Sequence, residues 1–124
     1  MELILPFPPT TGNHQYGVTR RGRRYTLPAV ERYRAAVRLT FLGARLTRIG
    51  GPVCVSLHLN PPDARRRDGD NAEKVIFDAL VRAGCIDDDS CIRTHTTTWL
   101  EPMRGGRVMV EITALGNEEV ERGD

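Results

Sequence analysis

Between residues 53 and 60 the chain reads VCVSLHLN, and apolar and polar side chains alternate without interruption. Val53, Val55, Leu57 and Leu59 share one face and Cys54, Ser56, His58 and Asn60 the other, which predicts a strand with one side buried. From residue 70 the period changes. Ala72, Val75, Ile76, Ala79, Leu80 and Ala83 fall on one helical stripe, and Gly84 supplies the stop. Asp70 reads as the N-cap of this helix, with Glu73 at the capping-box spacing. An earlier helix opens at Pro28, a residue suited to a first helical position. Its stripe is Val30, Tyr33, Val37, Phe41 and Ala44, and "IGG" with Pro52 ends it.

The remaining elements are shorter. Residues 2–5 (ELIL) predict a first strand, closed by "PFPP", which cannot donate to a ladder. Residues 91–100 and 106–114 predict two strands joined by "EPMRGG" as an antiparallel hairpin. The stretch "TTGNHQYGVTRRGRRY" reads as a polar loop. The order is β-α-β-α-β-β, an α+β fold with a mixed or mostly antiparallel sheet packed against two helices. At 124 residues, without internal repeats, the chain is expected to hold one domain over 1–116 and an acidic, flexible tail over 117–124.

Composition narrows the class. No apolar run is long enough to span a membrane, and an acid stands where a signal peptide needs a basic region. Cys54, Cys85 and Cys91 are odd in number and lack C-x-x-C spacing, so no disulfide framework and a cytoplasmic location are expected. The net charge of +2 conceals a division: residues 1–67 carry +9, residues 68–116 carry −4 and the tail −3. A basic half beside an acidic centre suits a grip on a polyanion next to a cation site. Of the 18 basic residues only Lys74 is a lysine. Arginine brings a planar fork to phosphate, whereas lysine is a compact point charge.

That lysine sits in "DARRRDGDNAEKVIFDALVRAGCIDDD", residues 63–89. Asp68 and Asp70 stand two apart at a strand-to-helix junction, where both can turn toward one point. Asn71, Lys74 and Asp78 share the polar face of the helix, and Asp87, Asp88 and Asp89 follow its end. Carboxylate oxygens are the donors that magnesium takes beside phosphates. Taken singly, each residue has a plainer reading: Asp70 as a cap, Asp68 as a helix-dipole partner, Lys74 and Asp78 as a surface ion pair, the aspartates as a solvated turn. An EF-hand starting at Asp68 fails, because Glu73 and Ala79 occupy its glycine and glutamate positions. A zinc site from Cys85, Cys91 and His95 has irregular spacing. His58 and His14 read as strand-face and loop residues.

The segment "RRRDGDNAEKVIFDALVRAGCIDDD" resembles the signature of the RusA family of Holliday junction resolvases. "LILPFPPTTGN" is similar to that family's opening strand and proline loop, and "EPMRGGRVMVEIT" to its closing strands. The resemblance implies a homodimeric, Mg2+-dependent endonuclease that cuts four-way DNA junctions by paired symmetric nicks in recombination and repair. It implies Asp68, Asp70 and Asp89 as metal-binding catalytic acids and Lys74 as the catalytic lysine, with Asp88 an alternate to Asp89. Arg65, Arg66 and Arg67, with Arg20, Arg21, Arg23 and Arg24, would hold the DNA backbone. Two alternatives stay open: a non-enzymatic basic nucleic-acid-binding module, and a fork or flap nuclease of similar chemistry.

Chain length constrains how the acids could meet. A helix from Asp70 to Ala83 spans about 21 Å, and Gly84 to Asp89 can return at most about 17–18 Å. Asp89 then reaches Asp70 within one chain only by doubling back along the helix, or else it is donated across a two-fold interface. The same-chain arrangement needs no partner and is the expectation.

Overall fold

The computed structural model describes residues 1–9, 15–65 and 69–116. The expected acidic tail, His14, Arg66, Arg67 and Asp68 lie outside the described residues, as do the side chains of Asp70 and Asn71. The elements are β1 (Glu2–Leu5), β2 (Tyr16–Val18), β3 (Arg24–Thr26), α1 (Pro28–Gly43), β4 (Val53–Asn60), α2 (Gly69–Ala83), β5 (Ile92–Trp99) and β6 (Arg107–Ala114), with a 3-10 turn at Asp89–Cys91. This is an α+β fold: two helices cover one face of a mixed sheet, and β2 with β3 forms a small antiparallel ribbon.

The alternation in β4 is expressed in full. Val53, Val55, Leu57 and Leu59 are entirely buried, at 0% exposure each. They meet Val108, Val110 and Ile112 from β6, Leu3 and Leu5 from β1, and the helix stripes in one core. From α1 the buried set is Val30, Tyr33, Val37 and Phe41, whereas Ala44 is exposed, because the helix ends at Gly43 rather than running on to "IGG". Arg45 follows in the left-handed region at φ 55°, so the reversal is made by a residue with a Cβ. Buried Tyr33 donates its hydroxyl to the Pro6 carbonyl at 2.9 Å, and burial pushes its pKa up.

The stop at Gly84 works as a Schellman motif. Gly84 has φ 87°, its N–H donates to the Val81 carbonyl, and Cys85 N–H donates to the Leu80 carbonyl, both at 3.0 Å. Those bonds satisfy carbonyls that the helix end would leave open. All three cysteines are free, and burial raises the Cys85 thiol to about 11.

Two expectations are corrected. The segments 91–100 and 106–114 do not form a hairpin: the sheet order is β1-β6-β4-β5, with β5 parallel to β4 and β6 antiparallel to both β4 and β1. The connection 100–106 instead crosses the end of β4, held by Leu100 N–H to the Leu59 carbonyl and Met103 N–H to the Pro61 carbonyl, both 2.8 Å. Side-chain character explains the placement. β6 turns Val108, Val110 and Ile112 inward and belongs in the sheet interior, whereas β5 offers His95, Thr97 and Trp99 opposite Val55, Leu57 and Leu59 and serves as an edge. The "polar loop" likewise contains a ribbon, Tyr16–Val18 against Arg24–Thr26, turned through Gly22 at φ 80°. Three-residue strands carry too little alternation to be legible.

β4, α2 and β5 form a parallel strand–helix–strand unit, so α2 runs antiparallel to both strands. α1 runs alongside α2 in the same direction: Arg34 near its start meets Asp78, and Arg48 beyond its end meets the Gly84 carbonyl at 3.2 Å. The first turns of both helices and the carboxyl ends of β1, β4 and β5 therefore share one end of the molecule. In open α/β arrangements that end is where ligands bind.

Candidate active site

At this end α2 begins at Gly69, one residue before the expected cap, so Asp70 occupies the first turn of the helix. A carboxylate there is favoured by the helix dipole, and a first turn offers unpaired N–H groups to anions. Glu73 does not close a capping box. Its carboxylate reaches across to β5, accepts the Thr97 hydroxyl and lies 3.6 Å from His95 Nε2. His95 in turn meets Phe77 edge-on, with ring centroids 5.3 Å apart. Glu73 thus locks the first turn of α2 against the edge strand. Its partner lies 24 residues away, and no local signal could have revealed it.

Lys74 is exposed, and no ion pair holds it among the described residues. Asp78, the expected pairing partner, is engaged elsewhere: its Oδ2 accepts from Arg34 and from Arg82, each at 2.9 Å. The plain ion-pair reading of Lys74 with Asp78 is therefore wrong, and among the described residues no other acid pairs with the ammonium, which stands one helical turn beyond Asp70.

The three aspartates after α2 have separate positions and duties. Asp87 accepts Gly51 N–H at 3.1 Å and pairs with Arg48 at 3.5 Å, clipping the loop before β4. Asp88 caps the 3-10 turn, accepting from the Ser90 N–H and hydroxyl, and the hydroxyl bond leads the causes that lower its pKa. Asp89 stands exposed at the next position. With Asp88 committed to Ser90, Asp89 is the better candidate of the two.

Asp89 follows the end of α2, whereas Asp70 stands in its first turn. Contacts of Glu73 with Thr97 and of Phe77 with His95 set β5 antiparallel along the helix. Ile92, level with Val53, then lies beside the final turn of α2. Three residues before Ile92, Asp89 is on the order of 20 Å from Asp70 along the helix axis. A magnesium ion holds each carboxylate oxygen at about 2.0–2.1 Å. The separation argues against the same-chain arrangement.

Of the basic residues, Arg20 and Arg21 lie in the β2–β3 turn, Arg23 follows it and Arg24 opens β3, all four exposed. Arg24 lies over the Tyr16 ring at 3.7 Å from its centroid, a cation–π contact that steadies the ribbon. Leu27 N–H donates to the Gln15 carbonyl at 3.0 Å and fixes the ribbon's base to the start of α1. Arg65 is exposed at the exit of β4, where its Nε lies 3.3 Å from Asp63. Arg34, which the sequence did not single out, links this end together: Nη2 meets Asp78 and lies 3.4 Å from Gln15 Oε1, and Nη1 is 3.5 Å from Thr26 Oγ1.

No group of three His, Cys, Asp or Glu side chains able to hold a metal occurs among the described residues. Histidine and cysteine are not gathered near α2's first turn in ligating sets, since His95 faces Glu73 and Cys85 is buried in the core. The candidate acids Asp68, Asp70 and Asp89 would offer hard carboxylate oxygens, donors that fit magnesium rather than zinc. No helix among the described residues is long and apolar enough to cross a membrane.

The family model for endodeoxyribonuclease RusA matches residues 6–113. The crossover junction endodeoxyribonuclease of Enterobacteria phage 82 is 35% identical over 117 residues, covering 94% of this chain and 96% of that protein. The proteins of the same name from Escherichia coli strain K12 and Shigella sonnei strain Ss046 are also 35% identical over the same shares. A family match over residues 6–113, with relatives 35% identical over 94% of the chain, places this chain in the endodeoxyribonuclease RusA family.

Proposed function

We propose that the chain is a Mg2+-dependent endonuclease that resolves four-way DNA junctions as a homodimer, acting in recombination and repair within the cytoplasm. The observation that carries this reading is an exposed Lys74, unpaired among the described residues, one helical turn beyond Asp70 in a chain of the RusA endonuclease family. Asp68 and Asp70 of one chain, with Asp89, would hold the ion. Bound magnesium supplies a polarised phosphoryl oxygen and a more acidic water. Lys74 offsets charge gathering on the scissile phosphate, a role that a fixed point charge fills without reorganisation. Arg65, Arg66 and Arg67, with Arg20, Arg21, Arg23 and Arg24, hold flanking phosphates and make binding salt-dependent.

The distance between Asp70 and Asp89 supports donation of Asp89 by a second copy. A two-fold axis that brings one copy's Asp89 to the other's Asp70 repeats the contact in reverse and builds two equal sites. Two sites related by such an axis suit paired nicks in opposing strands. Nicking assays on a mobile four-way junction, a Y-fork, linear duplex and single strands, each with and without Mg2+, test the reading. Symmetric nicks confined to the junction and dependent on Mg2+ are expected. Magnesium-indifferent binding without nicking would replace it with the binding-module alternative, and preferred cutting of the Y-fork with the fork nuclease.

A further inference from the structure

We infer that the groove beside Trp99 receives an unstacked DNA base at the branch point, and that this contact helps the protein tell a junction from a duplex. The inference rests on the junction-resolving reading above and adds a specificity determinant to it. The groove has a volume of about 350 Å³ and is walled by Pro61, Ala64, Trp99, Leu100 and Pro102, with Arg65 and Asp63 on its rim. Trp99 is 40% exposed and Leu100 equally so, at the end of an edge strand whose other residues on that face, His95 and Thr97, are polar. An aromatic left open at an edge-strand end has lost the burial that would otherwise explain it.

Three features fit a base rather than an aliphatic side chain. The Trp99 ring is braced from one side by Phe7, with centroids 6.2 Å apart and planes tilted by 53°, leaving a π surface toward the groove. The walls are rigid: two are prolines, and Asn60 Nδ2 donates to the Glu101 carbonyl at 2.9 Å, pinning the segment between Leu100 and Pro102. The rim carries a guanidinium that is 78% exposed, whose pairing with Asp63 is weak in water and yields to a phosphate. A flat apolar slot with a cation at its mouth matches a nucleobase and its phosphate, the combination single-strand binders use.

Position ties the groove to the reaction. Trp99 is two residues along β5 from Thr97, on the same face, and Thr97 bonds Glu73 in the first turn of α2. Arg65 precedes Asp68 by three residues in the sequence. In a continuous duplex every base is stacked between neighbours, whereas bases flanking a branch can be released at lower cost. A slot for one such base beside the cleavage centre rewards branched DNA over linear DNA.

Trp99 is the sole tryptophan of the chain, so its emission reads the groove directly. The full chain is titrated in EDTA with a four-way junction and with linear duplex of the same arm sequence, binding being followed in parallel by gel mobility. Strong quenching at saturating junction and little with saturating duplex is expected. Trp99→Ala should lose about 5- to 150-fold in junction affinity with duplex affinity unchanged, and Trp99→Phe should retain most of it. Junction bound and nicked normally with unmoved emission, or equal quenching by duplex, would overturn the inference alone. Dissociation of the Trp99→Ala dimer in sedimentation, with unmoved emission in the native chain, would assign the groove to a contact between copies and also overturn it. Absence of any junction binding would sink both this inference and the reading beneath it.

Discussion

Arg34 on α1 and Asp78 on α2 meet at 2.9 Å, with the arginine side chain only 12% exposed and its Nε buried without a partner among the described residues. The guanidinium is fixed between two helices and the base of the arginine-bearing ribbon, and it already has one unmet hydrogen-bonding group. Removing its main anion leaves a largely desolvated cation, although Asp78 is 32% exposed and solvent softens the loss. Asp78→Ala should cost about 1–3 kcal/mol in a urea melt. Arg34→Ala should cost a similar amount and also weaken DNA binding by releasing the ribbon. Melting curves that overlay the unmodified protein would show that the pair contributes nothing.

Lys74→Arg keeps the charge and changes its shape. Since Asp78 is held by Arg34 and Arg82, Lys74 has no structural pairing there to lose, and stability should not move. A wider, planar cation fits a point-charge contact poorly, so turnover on junction DNA should fall about 10- to 100-fold at unchanged binding. Full turnover would return Lys74 to the status of a solvated surface residue.

Asp70→Asn removes a proposed ligand charge but little of the fold. The residue lies inside the first turn of α2, where losing a carboxylate costs about 0.3–1 kcal/mol of dipole interaction. Nicking should fall about a hundredfold or more, with junction affinity equal or tighter because less negative charge faces the phosphates. Near-normal nicking would take Asp70 out of the metal site, and chelation of Mg2+ in the unmodified protein should mimic the variant.

Mixing inactive Asp70→Asn with inactive Asp89→Asn subunits reads out how the site is assembled. If Asp89 comes from the second copy, each mixed dimer regains one intact site and nicks one strand of the junction. Activity that stays absent in verified mixed dimers would mean that each site is built within one chain.

Arg45 at φ 55° closes α1 in a conformation that costs an L-residue about 1–2 kcal/mol. Arg45→Gly should recover much of that and raise the melting temperature, with nicking unchanged, since the residue lies away from the α2 first turn. A lowered melting temperature would mean that the arginine side chain makes a contribution larger than the backbone strain.

The sequence makes legible whatever repeats locally. Val53 to Leu59 alternate, and Val75 to Ala83 fall on one stripe, so the period alone assigns strand, helix and buried face. Asp68, Asp70 and Lys74 were singled out as candidates through close spacing along one segment, and Asp89 through the family resemblance. What escaped depended on distant partners. Nothing near Glu73 indicates that Thr97 will bind it, and nothing between Trp99 and Arg107 indicates that β4 will lie between the strands they bound. Two segments joined by a Gly-Gly turn look like a hairpin until the aliphatic content of β6 and the threonines of β5 are weighed against edge and interior positions. The Asp70 to Asp89 separation had the same character: chain length allowed a return along the helix, and the alignment of β5 against α2 is what argues for opposite ends.

The order β1-β6-β4-β5 has a consequence for synthesis. β6 is made last of the strands yet lies between the first and the fourth, and Met1 is tied to it through Ile112 N–H to the Met1 carbonyl at 2.8 Å. While the ribosome has not yet released Arg107–Ala114, β1 has no neighbour to pair with and Val55 and Leu57 face an open flank. Before that point β4 can pair with β5 under α2, but β1 and the second flank of β4 have to wait for β6. A ribosome stalled before residue 107 therefore carries a divided sheet, β4 with β5 on one side and an unpaired β1 on the other, and only the last strand joins the two.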